Sequence, residues 1–398
     1  MAIIKEDMEA LDSLTAQYQQ TLQGLETHRR KARFLKSALS KFSAEIMSSI
    51  FEHVCLGNSF QSKESIHAIA IASVCALWRE IVLNNKKCWS TFHVCGTGKQ
   101  TGRQRINLRN LTNLFLQRSR DHTLSIHIDC RTIPRSTLTL LMQEAHRWES
   151  VTLIGRHNFF QDSEFKEKYL GVNSFPALAC LTLSRGRCDG DLCVLLEQFG
   201  NFTTVPGGVL QSLCLLEHLT PSSRGKFPHW KHLTRLELHR STPDNILDTL
   251  KACVDAGGAL QYVELVDITV PQQGGQINEP SSPKVTLVAL RELSIFLGSM
   301  RDNLRTRDLP HRLLNYLTLP ALTSLKLHAS GNETPSENEW ADPEIAEAFF
   351  TRSKFPLEKL SFFRTRDISQ TAHKFASPRF ELHRNFDRCG DDKWDTGL

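Results

Sequence analysis

One apolar phrase, L-x-x-L-x-L, recurs along the chain and constrains the fold more than any other feature. Each copy has the alternation of a short strand, and the segments between copies carry helical spacing. A strand and a helix per unit, stacked side by side, bury a continuous core that no single unit could bury. The sequence therefore predicts an α/β protein with parallel strands in an irregular arc. The seven close copies, spaced irregularly, begin at Leu178, Leu210, Leu233, Leu260, Leu290, Leu322 and Leu357.

Looser copies of the phrase begin at Trp89 and Trp148, and a further strand is expected around Leu124. Helices are predicted between the strands, for example after Thr242, an N-cap residue followed by a proline at the first helical position and stopped by Gly257. We expect another helix over 192–199 and a surface loop over 271–284. The repeat domain is predicted to span 96–370, and the tail 371–398, which lacks the phrase, to be poorly ordered.

Residues 1–38 are predicted to form an amphipathic helix. Its apolar positions recur at alternating spacings of three and four, as in the a/d seam of a coiled coil, but for fewer than three heptads. They are Met8, Leu11, Thr15, Tyr18, Leu22 and Leu25. We interpret the segment as a helix docked on the rest of the protein, in preference to a short dimerisation helix.

Residues 39–95 read as a compact helical module. Its first helix has Phe42, Ile46, Ile50 and Val54 at four-residue spacing, which places them on one face. Ser43 is a predicted N-cap, and two more short helices are expected from Ile66 to Val74 and from Ala76 to Leu83. A block of this size has too little interior for all its apolar side chains, so some of them are expected to contact a partner.

The module resembles an F-box of the fungal, basidiomycete type. That family opens with Leu-Pro-x-Glu-Ile-Leu-x-x-Ile-Phe and continues with Val-Cys-x-x-Trp-Arg and a later Trp, matched here over 42–51, over 74–79 and at Trp89, with Ser43 in place of the proline. The resemblance implies docking on the Skp-type linker subunit of a cullin–RING ubiquitin ligase. It assigns linker contacts to Phe42, Ser43, Glu45, Ile46, Ile50, Phe51, Val74, Cys75 and Trp78.

The repeats resemble the degenerate leucine-rich repeats that often follow an F-box, and in that family they present a protein substrate. Residues between and after the leucines point away from the core and are expected to align into one surface. That predicted substrate face includes Glu237, His239, Glu264, Phe296, Lys326, His328 and Phe363. Because no charge dominates it, we expect a protein of mixed polarity rather than a nucleic acid or a phosphopeptide. The alternative is a repeat-based protein-binding scaffold without a ligase role.

Catalytic and cofactor motifs are missing from the sequence, which has no G-x-S-x-G, H-E-x-x-H, G-x-G-x-x-G or CxxC. We therefore expect no enzyme activity, no cofactor and no metal site, and we interpret the eleven cysteines as reduced thiols. The basic segment from Lys99 to Arg120 is interpreted as the solvated face of an outer helix. With no apolar run long enough for a bilayer and no secretory signal, the expected location is cytoplasmic or nuclear.

Overall fold

The fold is taken from a computed structural model, which describes residues 2–36, 41–61, 66–96, 101–155, 175–184, 210–216, 230–269, 284–297, 309–329, 343–363 and 376–384. Nine α-helices lie in these ranges. They are α1 (Ala2–Lys36), α2 (Ala44–Cys55), α3 (His67–Ala72), α4 (Ala76–Asn84), α5 (Gly102–Ser119), α6 (Arg135–Gln143), α7 (Pro243–Asp255), α8 (Leu309–Tyr316) and α9 (Pro343–Ser353). The helix predicted over 192–199 and most of the loop predicted over 271–284 lie outside the described residues.

The strands lie between these helices in chain order. They are β1 (Thr91–Val94), β2 (Leu124–Asp129), β3 (Trp148–Ile154), β4 (Cys180–Ser184), β5 (Ser212–Leu215), β6 (Arg235–His239), β7 (Tyr262–Val266), β8 (Val285–Thr286), β9 (Glu292–Leu297), β10 (Leu317–Thr318), β11 (Ser324–Ala329), β12 (Leu357–Phe363) and β13 (Ala376–Arg384).

Eleven of the strands form one parallel sheet in the order β1-β2-β3-β4-β5-β6-β7-β9-β11-β12-β13, and β8 pairs with β10 in a small second sheet. Neighbours in the large sheet follow one another in the chain apart from the two short strands. Every pairing in the sheet is parallel. This confirms the predicted α/β class with side-by-side parallel strands.

The leucine phrase produces this sheet through its register. The fourth residue of each phrase pairs with the fourth residue of the next, so one apolar row crosses all eleven strands. The row is Phe92, Ile126, Val151, Leu181, Leu213, Leu236, Val263, Leu293, Leu325, Leu360 and Leu382. All but the last are at most 2% exposed. Since burying one such side chain contributes about 1.5–3 kcal/mol, each strand is stabilised by its neighbours in the row.

The helix after β6 has the ends that its sequence predicts. The Thr242 hydroxyl accepts a hydrogen bond from the Asn245 N–H, and Pro243 occupies the first turn. Gly257 follows the helix with φ of 75°, a left-handed conformation that suits glycine. A Cβ on Gly258 would lie 2.7 Å from the carbonyl oxygens of Cys253 and Trp230, so the next residue must also lack a side chain.

Two expectations about the ends of the chain need correction. The side chains of the α1 seam are not docked: Met8, Leu11, Tyr18, Leu22 and Leu25 are 60–70% exposed. The dimerisation alternative stays a prediction. At the other end, residues 376–384 are not a disordered tail but form β13, which pairs with β12 and adds Leu382 to the core.

A buried asparagine joins the N-terminal module to the sheet. The Asn58 side chain is fully buried, and its Nδ2 donates to the carbonyl oxygens of Cys55 at 2.6 Å, Cys88 at 3.0 Å and Thr91 at 3.2 Å. Its Oδ1 accepts from the Ala68 N–H at 3.0 Å. One side chain therefore holds together the end of α2, the start of α3 and the entry to β1.

The same join continues in the backbone and in the aromatic core. The His93 N–H donates to the Asn58 carbonyl at 2.8 Å, and the Phe60 N–H donates to the His93 carbonyl at 3.0 Å, which covers the outer edge of β1. The Phe115 ring of α5 lies 4.9 Å from Phe60 and 5.0 Å from Trp89. The module's core thus extends past residue 95 into α5. Trp89 is a core residue, 2% exposed.

Replacing Asn58 with alanine is expected to lower the free energy of unfolding by about 3 kcal/mol, because several buried backbone groups lose their partner at once. Chemical denaturation of the full chain measures this. The exposed Asn84→Ala is the matched control and should change stability by less than about 0.5 kcal/mol. If the two substitutions lowered the free energy of unfolding equally, Asn58 would not hold the module and the sheet together.

Candidate protein-binding surfaces

Helix α2 has two apolar faces, and only one of them is covered. Met47, Phe51 and Cys55 are buried against the other helices of the module. On an adjacent face, Ile46 is 49% exposed and Ile50 41%, and Phe42, which lies just before the N-cap residue, is 44% exposed. The sequence had indicated an apolar face at four-residue spacing, and the structure leaves this face in solvent.

Exposed apolar side chains are concentrated in the N-terminal part of the described chain. Among the described residues, only Ile106 and Val288 are large hydrophobic side chains exposed beyond residue 84. The module itself contributes eight: Phe42, Ile46, Ile50, Val54, Leu56, Ile69, Val74 and Leu77. Helix α2 contacts both α3 and α4, so these residues belong to one small packed unit, here called the apolar module face.

The start of α2 is capped as the sequence predicts. Ser43 has φ of −65° and its Oγ accepts a hydrogen bond from the Ile46 N–H at 3.4 Å. A hydrogen bond with Ser43 also lowers the pKa of the Glu45 carboxyl, so a negative charge remains in the first turn of the helix. Both residues are exposed and leave the apolar side chains of this face accessible.

Three residues assigned to the linker contact have a more interior position. Phe51 is only 3% exposed and its ring lies 5.0 Å from that of Trp78, so Phe51 is corrected to a core residue. Trp78 is half-buried in the same packing. Cys75 is also half-buried, and its Sγ caps α4 by accepting from the Trp78 N–H at 3.5 Å. Val74 remains 56% exposed.

The second predicted surface is the face of the large sheet opposite the leucine row, here called the open face. Its residues align as the repeat predicts. Glu237 pairs with Glu264, and Lys326 pairs with Ser294 on one side and Ser361 on the other. The next row brings His239 to Val266, and Phe296 to both Val266 and His328. These predicted side chains are half-buried; for Phe363 only the backbone, paired with His328, is described.

Arg235 and Tyr262 change the charge of the open face, and the sequence analysis did not select them. The Arg235 guanidinium contacts Glu237 Oε1 through Nε at 2.7 Å and Nη2 at 2.5 Å, and its Nη2 lies 3.8 Å from Glu264 Oε2. It also stacks 4.1 Å above the Tyr262 ring, whose hydroxyl donates to Glu264. Both residues lie two positions before the glutamates, so extending the same alternation would have found them.

The imidazoles on the open face are uncharged at neutral pH. Burial lowers the pKa of His239, and burial together with Lys326 lowers the pKa of His328. His328 lies 4.9 Å from the Phe296 ring, which gives this part of the face an aromatic character. Neutral histidines and an arginine already engaged by two carboxylates leave the region without a free cationic cluster for phosphate.

Comparison with known proteins finds no matching family model and no matching curated protein. Within the described ranges, no helix combines the length and apolar character needed to cross a bilayer.

The open face contains a half-buried histidine, His127, whose titration affects stability. His127 of β2 stacks on His93 at 5.0 Å, and burial, with a further contribution from His93, lowers its pKa to about 4. An unfolded histidine titrates near 6.5. Between pH 6.5 and about 4 the unfolded state holds more protons, so this group's stabilisation is present above pH 6.5 and is lost as the pH falls.

We therefore expect His127→Gln to flatten the pH dependence of the free energy of unfolding over this interval, by on the order of 2 kcal/mol. Denaturation at pH 7, 5.5 and 4.5 measures the slope. His146→Gln, at an exposed position, is the control and should keep the wild-type slope. Identical slopes for both variants would show that His127 does not cause the dependence.

Proposed function

We propose that this protein is a substrate-recruiting adaptor subunit of a Skp–cullin–F-box ubiquitin ligase. In this proposal the apolar module face binds the Skp-type linker subunit, and the open face of the sheet binds a protein substrate. The observation that carries it is the uncovered face of α2, where Ile46 and Ile50, with Phe42 just before the helix, face solvent while an adjacent face of the same helix packs into the module.

The energetics favour a partner on this face. Apolar side chains at regular helical spacing on a small surface element gain about 25 cal/mol for each Å² removed from water. Contiguous exposed apolar surface on a folded protein marks an interaction site. The family resemblance places linker contacts at Ile46 and Ile50 of this same helix and at Phe42 just before it.

The join between the module and the sheet supports the proposal that one binds the linker subunit and the other binds the substrate. A ligase adaptor must hold its substrate at a fixed position relative to the linker subunit. Asn58 and the backbone pairing of Phe60 with His93 connect the module directly to the edge of β1. In this proposal a substrate on the open face is bound to a sheet that is joined directly to the linker-binding module.

The chemistry of the open face favours a protein substrate of mixed polarity. Arg235 pairs with Glu237 and lies near Glu264 in a network with a single net negative formal charge, and Phe296 with His328 adds a neutral aromatic contact. Aromatic residues lose little rotamer entropy and are frequent anchors of protein interfaces. A ligase adaptor of this kind would act in the cytoplasm or nucleus.

The test is Ile46→Asp in the full-length chain, co-expressed with a Skp-type linker subunit. A carboxylate at a closed apolar contact must be desolvated without a partner, so we expect linker affinity to fall by at least roughly 100-fold. The fold should survive because Ile46 is 49% exposed. Ile106→Asp on α5 is the matched control, since Ile106 is 61% exposed, and it should bind like the wild type.

Two results would overturn the proposal. One is an Ile46→Asp variant, folded by circular dichroism, whose linker affinity stays within a few-fold of the wild type. The other is a wild-type chain that does not bind the linker subunit at all. The second result would favour the repeat-based scaffold without a ligase role, which Ser43 at the family's proline position keeps in consideration.

Ser43→Pro is expected to keep the fold and to leave linker affinity unchanged or increase it. The backbone already has the φ of −65° that proline requires. Loss of the serine cap costs about 1 kcal/mol, and the smaller entropy of the unfolded chain offsets about 0.4–1 kcal/mol of it. Ser43→Ala, which removes the cap without adding the ring, is the comparison. Clearly weaker linker binding by a folded Ser43→Pro chain would show that the hydroxyl itself is needed.

A further inference from the structure

Three side chains with metal-binding atoms meet on the open face at the middle of the sheet. Cys214 of β5 pairs directly with Glu237 of β6, and His239 lies two residues further along the same strand and on the same face. The Cys214 sulfur, a Glu237 carboxylate oxygen and a His239 ring nitrogen all lie within 4.8 Å of one another.

The cluster is sheltered by its position in the sheet. Cys214 is 9% exposed, the Glu237 side chain is 20% exposed, and His239 is half-buried. Zinc bound tetrahedrally at 2.0–2.3 Å places its ligand atoms about 3.6 Å from each other. To reach this spacing from their present separations, the three ligand atoms must move by about one ångström. Rotation of the side chains supplies such a movement without a change in the strands.

A divalent cation that binds here must displace the proton of the Cys214 thiol. Burial, followed by the charge of Glu237, raises the pKa of the Cys214 thiol, so the thiol is protonated when no cation is bound. A bound divalent ion reverses this balance: the sulfur–metal bond forms and the thiol proton leaves to solvent. Burial lowers the pKa of His239, which leaves its imidazole neutral and able to ligate.

The closest contacts of Arg235 involve only one of the two carboxylate oxygens of Glu237. Its two closest contacts, from Nε and Nη2, both fall on Oε1. The other carboxylate oxygen makes neither of these two contacts. A donor set of one soft sulfur, one nitrogen and one oxygen favours the binding of zinc over that of magnesium or calcium.

We propose that Cys214, Glu237 and His239 form a zinc site on the open face, with the fourth coordination position open for water or a ligand from a bound protein. None of the three residues lies in the N-terminal module. The site is thus independent of linker binding, and either proposal can fail without the other.

The test uses Co²⁺ as a spectroscopic probe on the full-length chain after treatment with a chelator. The wild type should bind one Co²⁺ with a thiolate-to-cobalt charge-transfer absorption, and Zn²⁺ should displace it. Cys214→Ser should lose this absorption. His239→Gln and Glu237→Gln should keep it and weaken Co²⁺ binding by roughly tenfold or more. Circular dichroism checks the fold of each variant.

The chain supplies matched controls on the same face. Cys180→Ser changes an exposed free thiol on β4, and His328→Gln changes a half-buried histidine on β11; both should keep wild-type Co²⁺ binding. The proposal is overturned if the wild type shows no charge-transfer absorption, or if a folded Cys214→Ser chain retains it. It is also overturned if the His239→Gln and Glu237→Gln variants bind Co²⁺ with wild-type affinity, because the cluster would then be hydrogen-bonded packing alone.

Discussion

The structure depends on the in-register burial of one apolar row that crosses all eleven strands of the large sheet. Parallel strands hold their hydrogen bonds only while the side chains on the packed face remain aligned, since a slip of one residue would turn the row to the opposite face. Phe92 on the first strand, Leu236 on the middle strand and Leu360 on the strand before the last are each fully buried. Every other feature of the chain is positioned relative to this row.

The edges of such a sheet must be covered, and the N-terminal module covers the first one. Asn58 satisfies backbone carbonyls at three places, and residues 58–60 pair with β1, so the module closes the sheet as well as preceding it in the chain. The join holds the C-terminal end of α2 through the carbonyl of Cys55 and leaves the side chain of Ile46, on the uncovered face of the helix, in solvent. The edge of the sheet is therefore covered without using the proposed linker contact.

The open face follows from the same alternation that buries the leucines. The register brings side chains that point away from the core into rows. Functional side chains that are far apart in the chain therefore become neighbours. Arg235 meets two glutamates in this way, and Cys214 meets Glu237 and His239. The first grouping reduces the formal charge of the two glutamates to a single net negative charge, and the second provides the donor atoms for a cation. Neither grouping has a motif in the linear sequence.

The sequence by itself determined the strand phrase, the parallel order, the caps at Ser43 and Thr242 and the apolar spacing of α2, because each depends on residues close in the chain. Only the tertiary structure decided which apolar residues are covered. Phe51 is buried in the core, whereas Leu11 and its apolar neighbours in α1 are exposed. It also decided that residues 376–384 complete the sheet and that Asn58, in a polar loop by sequence, is a buried join. Local patterns specify an element and its faces, whereas the partner of each face depends on contacts between segments far apart in sequence, which no local spacing encodes.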